Sequence, residues 1–555
     1  MVQKRNISLT LLPIALAAGL VGGIFIGQFL NRTTLSPGQQ KLQTVLGLIN
    51  REYVDRIDCD SLLETLYPEL LAGLDPHSAY ISAAELTDVN SDLEGAFSGV
   101  GISFQILNDT VYAIDVISGG PAEKVGLKAG DRILSADEFD LTGSNATNEN
   151  VFKHLRGEKD SKVLLKVLRG QHGTPLSFEV VRGEVPVASV NARYMLDENT
   201  GYVKVSKFSR NTYNEFLEAM LELSGRGAEN FVIDLRGNAG GFMDQAIYMA
   251  NEFLPEDRMI VYTKGRTPEN ETQAVSDGRG TFKKAGVVVL TDEYSASASE
   301  IFAGAIQDND RGLIVGRRSF GKGLVQNQTM LSDSSAIRLT VARYYIPSGR
   351  SIQKEYVRGE DGKYQLEIAD RYSRGEFYNA DSIRLDKSKL FHTIGGREVF
   401  GGGGIMPDIF VPEDTTGVTN YYIKVANKGL LQKYAYQVAD KYRGLAAGID
   451  DTERLTRILP RDNTLLNNFV KYAAQNGVPA RWYYINQSRN LILNQLKAII
   501  ARDLIGDNAF FEILNSNDNA LDKALEALRE NRLQSLMSNS LRKGSVKRGT
   551  KMNNN

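Results

Sequence analysis

Apolar residues run almost unbroken from Ile7 to Leu30, with Ser8, Thr10 and Gln28 the only polar side chains, and Lys4 and Arg5 precede them. A stretch of about 20 apolar residues is enough to cross a bilayer, and flanking basic residues stay on the inner side. The pattern predicts a cytoplasmic N-terminus over 1–6 and a transmembrane anchor over 7–30, with the bulk of the chain outside. A cleaved signal peptide is the alternative, because Ala15-Leu-Ala17 resembles a cleavage site. The apolar run continues through Val21 to Ile26, which suits an anchor better.

The period of the apolar positions then changes three times. From 37 to 94 it is helical: Leu42, Val45, Leu46 and Ile49 fall three and four apart, as do Leu62, Leu63, Leu66 and Leu70. A turn interrupts it at Leu74-Asp-Pro-His-Ser-Ala-Tyr80. From 95 to 184 short β-branched runs alternate with turn residues, predicting a small β-barrel-like domain. From 185 to 412 strands and helices alternate, which reads as α/β. Within that region 354–400 is polar with little periodicity and reads as an insertion or large loop, not a core element. From 413 to 541 the pattern is helical and charged. Residues 542–555 are basic and polar and predict disorder. The expected fold class is a multi-domain mixture of α/β and β.

Composition excludes several functions. Lys plus Arg number 65 against 67 acids, so no bulk charge draws the chain to nucleic acid. Cys59 is the sole cysteine and can form no internal disulfide. The four histidines, His77, His154, His172 and His392, have no metal-ligand spacing, so no metal site is expected. No phosphate-loop or dinucleotide fingerprint appears, and no cofactor is expected.

Candidate chemistry centres on Ser295-Ala-Ser-Ala-Ser-Glu300, between the strand-like Gly286–Asp292 and the helix-like Ile301–Ile306. A hydroxyl on a strand-to-helix turn projects from a rigid support, and the helix start offers free amides to an oxyanion. Ser295, Ser297 and Ser299 all compete as nucleophile, with Ser299 placed to cap the helix. A small-residue turn packed on a sheet is the alternative. Lys322 lies between two glycines in an apolar run. Burial would lower its pKa and let it take a proton from a serine. In an extended strand Gln326, four residues on, would share its face and orient the amine. Glu300 is a second candidate support, or simply a first-turn acid favoured by the helix dipole. The turn Asp234-Leu-Arg-Gly-Asn-Ala-Gly-Gly241 could supply oxyanion donors together with Ala298, or hold a structural Asp234–Arg236 pair. Gly99-Val-Gly-Ile102 could form an amide nest for a terminal carboxylate, or a plain β-turn.

In order along the chain, the Leu74–Tyr80 turn, Gly95–Ile102, Gly120–Asp131, the Asp234 turn, the Ser295 run, Phe320-Gly-Lys-Gly323 and Gly404-Ile-Met-Pro-Asp408 resemble the carboxyl-terminal processing (tail-specific) proteases. The resemblance implies a PDZ domain over 95–184 and a crotonase/ClpP-like α/β protease core over 185–412. It implies Ser297 as nucleophile and Lys322 as general base, supported by Gln326 and Glu300. It implies an oxyanion hole from Ala298 and the Gly240–Gly241 turn, and a peptide-binding loop at Gly99, Val100, Gly101 and Ile102. Arg156 is the matching candidate for an arginine that couples peptide binding to the active site. A serine endopeptidase of the bacterial inner membrane, working on its periplasmic side on proteins with free C-termini, is the expected function. Homo-oligomers or adaptors at the helical regions are the expected partners. A catalytically silent PDZ scaffold is the alternative. A Ser-His-Asp hydrolase is a weaker rival, since His392 is the only histidine in the 185–412 region.

Overall fold

Residues 35–530 are described by the computed structural model, except 108, 118, 129 and 170–173. They divide into two units at Leu71/Ala72, each described by itself. In the first, the helix Pro37–Glu52 starts at a reciprocal cap: Ser36 Oγ accepts the Gln39 amide, and the Gln39 side chain accepts the Ser36 amide. It is followed by the helix Cys59–Ala72, which carries Pro68 inside.

The expected transmembrane helix is corrected. Among the described residues no helix is long and apolar enough to cross a membrane, and the segment 7–30 lies outside those residues. The tail 542–555 also lies outside them. What is described is a PDZ domain, an α/β core and a helical C-terminal region.

The second unit begins at the Asp75 turn. A two-stranded stem, Ala96–Gly99 against Gly183–Pro186, carries the chain into and out of the PDZ domain. Its sheet runs in the order Ile102–Leu107, Thr110–Val116, Arg132–Ala136, Lys162–Leu168, Leu176–Val181, antiparallel throughout. Lys162–Leu168 alternates Val163, Leu165 and Val167 inward with Lys162, Leu164 and Lys166 outward, the period of a half-buried strand. The inward set packs with Val111, Ile133 and Val151. Among the described residues Ile102–Leu107 pairs on one side only and leaves an open edge.

In the core the described residues form a six-stranded sheet: Val190–Met195, Thr200–Val205, Asn230–Asp234, Gly286–Thr291, Leu313–Gly316 and Ile409–Phe410. All neighbours are parallel except the first pair. Parallel strands need both faces covered. One face packs on the helices Thr212–Gly225, Met243–Phe253 and Ala298–Asp308, through Phe216, Met220, Phe253 and Phe302. The other packs on the helix Asn519–Arg529, through Leu521, Ala524 and Ala527 against Val232, Val288, Leu290 and Val315. A second sheet contains Leu324–Met330 and Ala336–Tyr345.

The stretch 354–400 is no irregular loop. It holds the helix Asp361–Ser373 and the hairpin Leu390–His392/Glu398–Phe400. Lys354, Tyr364, Arg371, Glu376 and Val399 are buried in it. Much of what it buries is charged and satisfied by ion pairs, which hides it from an apolar-periodicity reading.

Candidate active site

The strand Asn230–Asp234 ends in a buried charge network. Asp234 accepts Tyr202 Oη at 2.7 Å and Arg236 Nη2 at 2.6 Å. Burial works to raise its pKa, but Arg236 and Lys204 outweigh it and hold the carboxyl well below the usual range. Arg236 continues to Asp518 at 2.7 Å. This pair is structural: it ties the strand end to the C-terminal helix.

Beyond it the chain turns at Asn238, which is fully buried. Its Nδ2 donates to Val205 O at 2.9 Å, and its Oδ1 accepts Gly240 N at 2.9 Å. Its carbonyl accepts Ala296 N and Ser299 Oγ, both at 2.9 Å. One side chain and one peptide thus clamp the glycine turn to the serine run. Gly240 has φ +103°, and a Cβ there would lie 2.7 Å from Ser297 Cβ. Only glycine fits. The Gly240 amide is engaged by Asn238, whereas the amides of Gly241 and Ala298 meet no acceptor among the described residues.

The three serines separate by environment. Ser295 is fully buried and donates to Leu235 O at 2.9 Å. Ser299 is fully buried and bonded to Asn238, so it does not cap the helix as expected. Ser297 is half-buried and occupies the N-cap before Ala298–Asp308. Its φ of 57° and ψ of −114° are strained for a residue with a Cβ. Such strain persists only where the surroundings enforce it.

Glu300 joins this turn to the lysine loop. Fully buried, its carboxylate accepts Ser297 N at 2.9 Å, Gly321 N at 2.7 Å and Lys322 N at 2.8 Å. It also accepts the Ser319 hydroxyl. Burial pushes its pKa up to about 7, against these bonds, which favour the anion. Tyr344 Oη, also buried, reaches Ser297 O at 3.1 Å and Lys322 O.

Lys322 is half-buried, and its amine makes no hydrogen bond among the described residues. Desolvation pulls its pKa down, helped by Arg338; Glu300 and Asp75 pull it up. Gln326 does not share its face through strand alternation. The strand begins only at Leu324, and its register shifts between Val325 and Gln326. Gln326 Nε2 instead lies 3.4 Å from Thr340 Oγ1.

Sequence reasoning missed the neighbours on that side. Asp75 accepts Ser78 Oγ at 2.6 Å, His77 N at 2.9 Å and Thr340 Oγ1 at 2.9 Å. The Asp-Pro-His-Ser turn pattern was the available signal. Tyr344 carried none.

In the PDZ domain Gly101 has φ +82° and packs under Pro121. Its carbonyl accepts Ile117 N at 3.0 Å, and Val100 O accepts Ala122 N at 2.7 Å. The amides of Val100 and Gly101 meet no acceptor among the described residues. They open beside the free edge that starts at Ile102. The rings of Phe104, on that edge strand, and Phe152 meet edge to face with centroids 5.3 Å apart. Arg156 bridges Gly99 through its backbone and stacks over Phe97 at 4.9 Å and Phe152 at 4.6 Å. It is tied to the Gly99–Ile102 loop; none of these contacts reaches Ser297.

A sequence model of peptidase family S41 matches residues 199–360, and one of the PDZ domain matches 98–181. The chain is 33% identical over 372 residues to a carboxy-terminal-processing protease of Bartonella bacilliformis, covering 66% of this chain and 82% of that one. The chain belongs to this protease family. It is also 32% identical over 350 residues to the carboxy-terminal processing protease CtpB of Bacillus subtilis, covering 62% and 71% respectively. Among solved structures it is similar to a photosystem II D1 C-terminal processing protease, with 29% identity, 59% of this chain and 93% of that one covered, and a TM-score of 0.32. Residues 421–506 match a family of unknown function, DUF8443. The chain is therefore a serine peptidase of family S41 with a PDZ domain.

Proposed function

We propose that Ser297 and Lys322 form a Ser-Lys pair that cleaves cell-envelope proteins captured by their C-terminal tails. The Glu300 carboxylate carries this reading, because it holds the amides of both residues at once. Neutral Lys322 takes the Ser297 hydroxyl proton, and Oγ attacks the peptide carbonyl. The oxyanion is received by the amides of Ala298 and Gly241; the engaged amide of Gly240 leaves that glycine a steric role. Lys322 then gives its proton to the leaving amine, and water releases the acyl group. Because the base must be neutral, activity rises with pH through the Lys322 pKa, which burial lowers.

The PDZ turn supplies the other half. The substrate tail adds a strand to the Ile102–Leu107 edge, with its carboxylate on the amides of Val100 and Gly101 and an apolar end residue against Phe104. The basic and then apolar sequence over residues 4–30 supports an envelope location for the substrates. A serine-directed probe, added with an activating tail peptide, should label the wild type and not Ser297→Ala. Equal labelling of both would overturn the assignment. Absence of labelling in the wild type would favour the silent-scaffold alternative.

A further inference from the structure

We infer that the inserted segment 354–400 is a clamp on the lysine loop, and that Arg371 is its positioning residue. The inference rests on the Ser-Lys reading above.

The loop from Arg318 to Gly323 carries Lys322 but belongs to no strand or helix. On its inner side, Glu300 takes the amides of Gly321 and Lys322. The carbonyls on its outer side are met by the insertion and the residue before it. Arg371 Nη1 donates to Ser319 O at 3.0 Å, and Nη2 to Arg318 O at 2.7 Å. Lys354 N donates to Gly321 O at 2.9 Å, and Gln353 Oε1 accepts Gly323 N at 2.7 Å. The Lys354 ammonium sits 3.8 Å above the Phe320 ring and 4.2 Å above the Tyr364 ring. Tyr364, on the inserted helix Asp361–Ser373, reaches His77 Nε2 at 2.8 Å.

Arg371 suits this task. Its planar fork spans two consecutive carbonyls, which a single ammonium cannot do. It is 1% exposed, so the bonds are shielded from water. Its third nitrogen meets Glu376 at 2.9 Å, and Glu376 also binds Arg318 at 2.6 Å. The third nitrogen thus anchors the guanidinium to Glu376 while the other two hold the loop. Two glycines flank Lys322, so without an outer hold the loop has several conformations available. A small displacement of a reacting group is enough to lose rate.

Arg371→Met in the full chain should lower kcat by about tenfold or more, leave KM for a tail-bearing substrate nearly unchanged, and keep tail-peptide binding. The ascending limb of the pH–rate profile should move to higher pH, because water reaching Lys322 favours its charged form. The groups that face Lys322 there are Glu300, Asp75, Arg338 and His77. Arg371→Lys, which restores one bond, should recover part of both effects. A folded Arg371→Met enzyme with wild-type kcat and pH limb would overturn the inference. If that variant fails to fold, Lys354→Met must show the same alkaline shift, and a wild-type limb there would overturn it equally. Full activity in Lys322→Ala would instead remove the Ser-Lys reading itself.

Discussion

Around Ser297, polar side chains do the holding. Asn238, Ser295, Ser299 and Glu300 are all fully buried, and each makes at least one hydrogen bond to a neighbouring strand, turn or loop. In the PDZ turn no described side chain does so: Val100 and Gly101 are held by backbone bonds from Ala122 and Ile117 and by packing against buried Pro121. Both turns leave two backbone amides open. In the proposed mechanism the first receives a charge that exists only in passing, and fixed dipoles stabilise such a charge because they need no reorganisation. In the same reading the second would receive a permanent carboxylate at an open strand edge, where strand addition supplies most of the contact. The core turn should therefore be brittle to single polar substitutions, and the PDZ turn sensitive to the ligand's charge.

The sharpest break should come from Lys322→Ala. Loss of a general base removes about 10²- to 10⁴-fold in rate, while tail-peptide affinity should stay at the wild-type value. Steady-state cleavage paired with peptide titration checks both halves. A parallel loss of affinity would mean the two turns are not independent.

Next in size is Glu300→Gln. The amide keeps the shape but turns a donor either toward the amides of Ser297 and Lys322 or toward the Gly321 amide and the Ser319 hydroxyl. Each buried amide left unmade costs about 1–3 kcal/mol, so activity and denaturant midpoint should both fall. The pH dependence gives a separate check. The Glu300 pKa is raised to about 7 in the fold, so its stabilising contribution is full below the unfolded carboxyl range and is lost as pH rises through about 7. Wild-type stability should therefore drop between pH 5 and 8 by more than that of Glu300→Gln. Parallel stability curves for the two proteins would refute this.

Amidating the substrate's C-terminus probes the PDZ side. Hydrogen bonds to a charged group contribute about 1.5–3 kcal/mol, so kcat/KM should fall by about tenfold, with probe labelling of Ser297 unaffected. Equal rates for acid and amide would remove the nest. The smallest effect should be that of His392→Ala. His392 is exposed on the inserted hairpin, touches neither turn, and should alter activity less than about twofold. A large loss would revive the Ser-His-Asp rival.

The pattern of apolar positions made the layered architecture legible, because parallel strands such as Asn230–Asp234 are continuous apolar runs. The serine run and Lys322 stood out by composition, and family resemblance rather than spacing singled out Ser297. What stayed hidden was polar burial. Arg371 and Glu376 look like surface residues until their partners are seen, so 354–400 reads as a loop. Tyr344 looks like any strand aromatic, yet its hydroxyl touches both Ser297 O and Lys322 O. Strand alternation does not relate Gln326 to Lys322, because the strand begins only at Leu324. The transmembrane helix expected over 7–30 is absent from the described elements.

The helix Asn519–Arg529 gives the chain a timetable. Domains generally fold as they leave the ribosome, N-terminal parts first. Here Val232, Val288, Leu290 and Val315 face water until Leu521, Ala524 and Ala527 arrive roughly two hundred residues later to cover them. Arg236, close to the oxyanion turn, likewise waits for Asp518. A growing chain thus carries Ser297, Lys322 and the PDZ domain well before it has a finished sheet. A stalled or clipped product lacking that helix would leave Val232, Val288, Leu290 and Val315 without their cover from Leu521, Ala524 and Ala527.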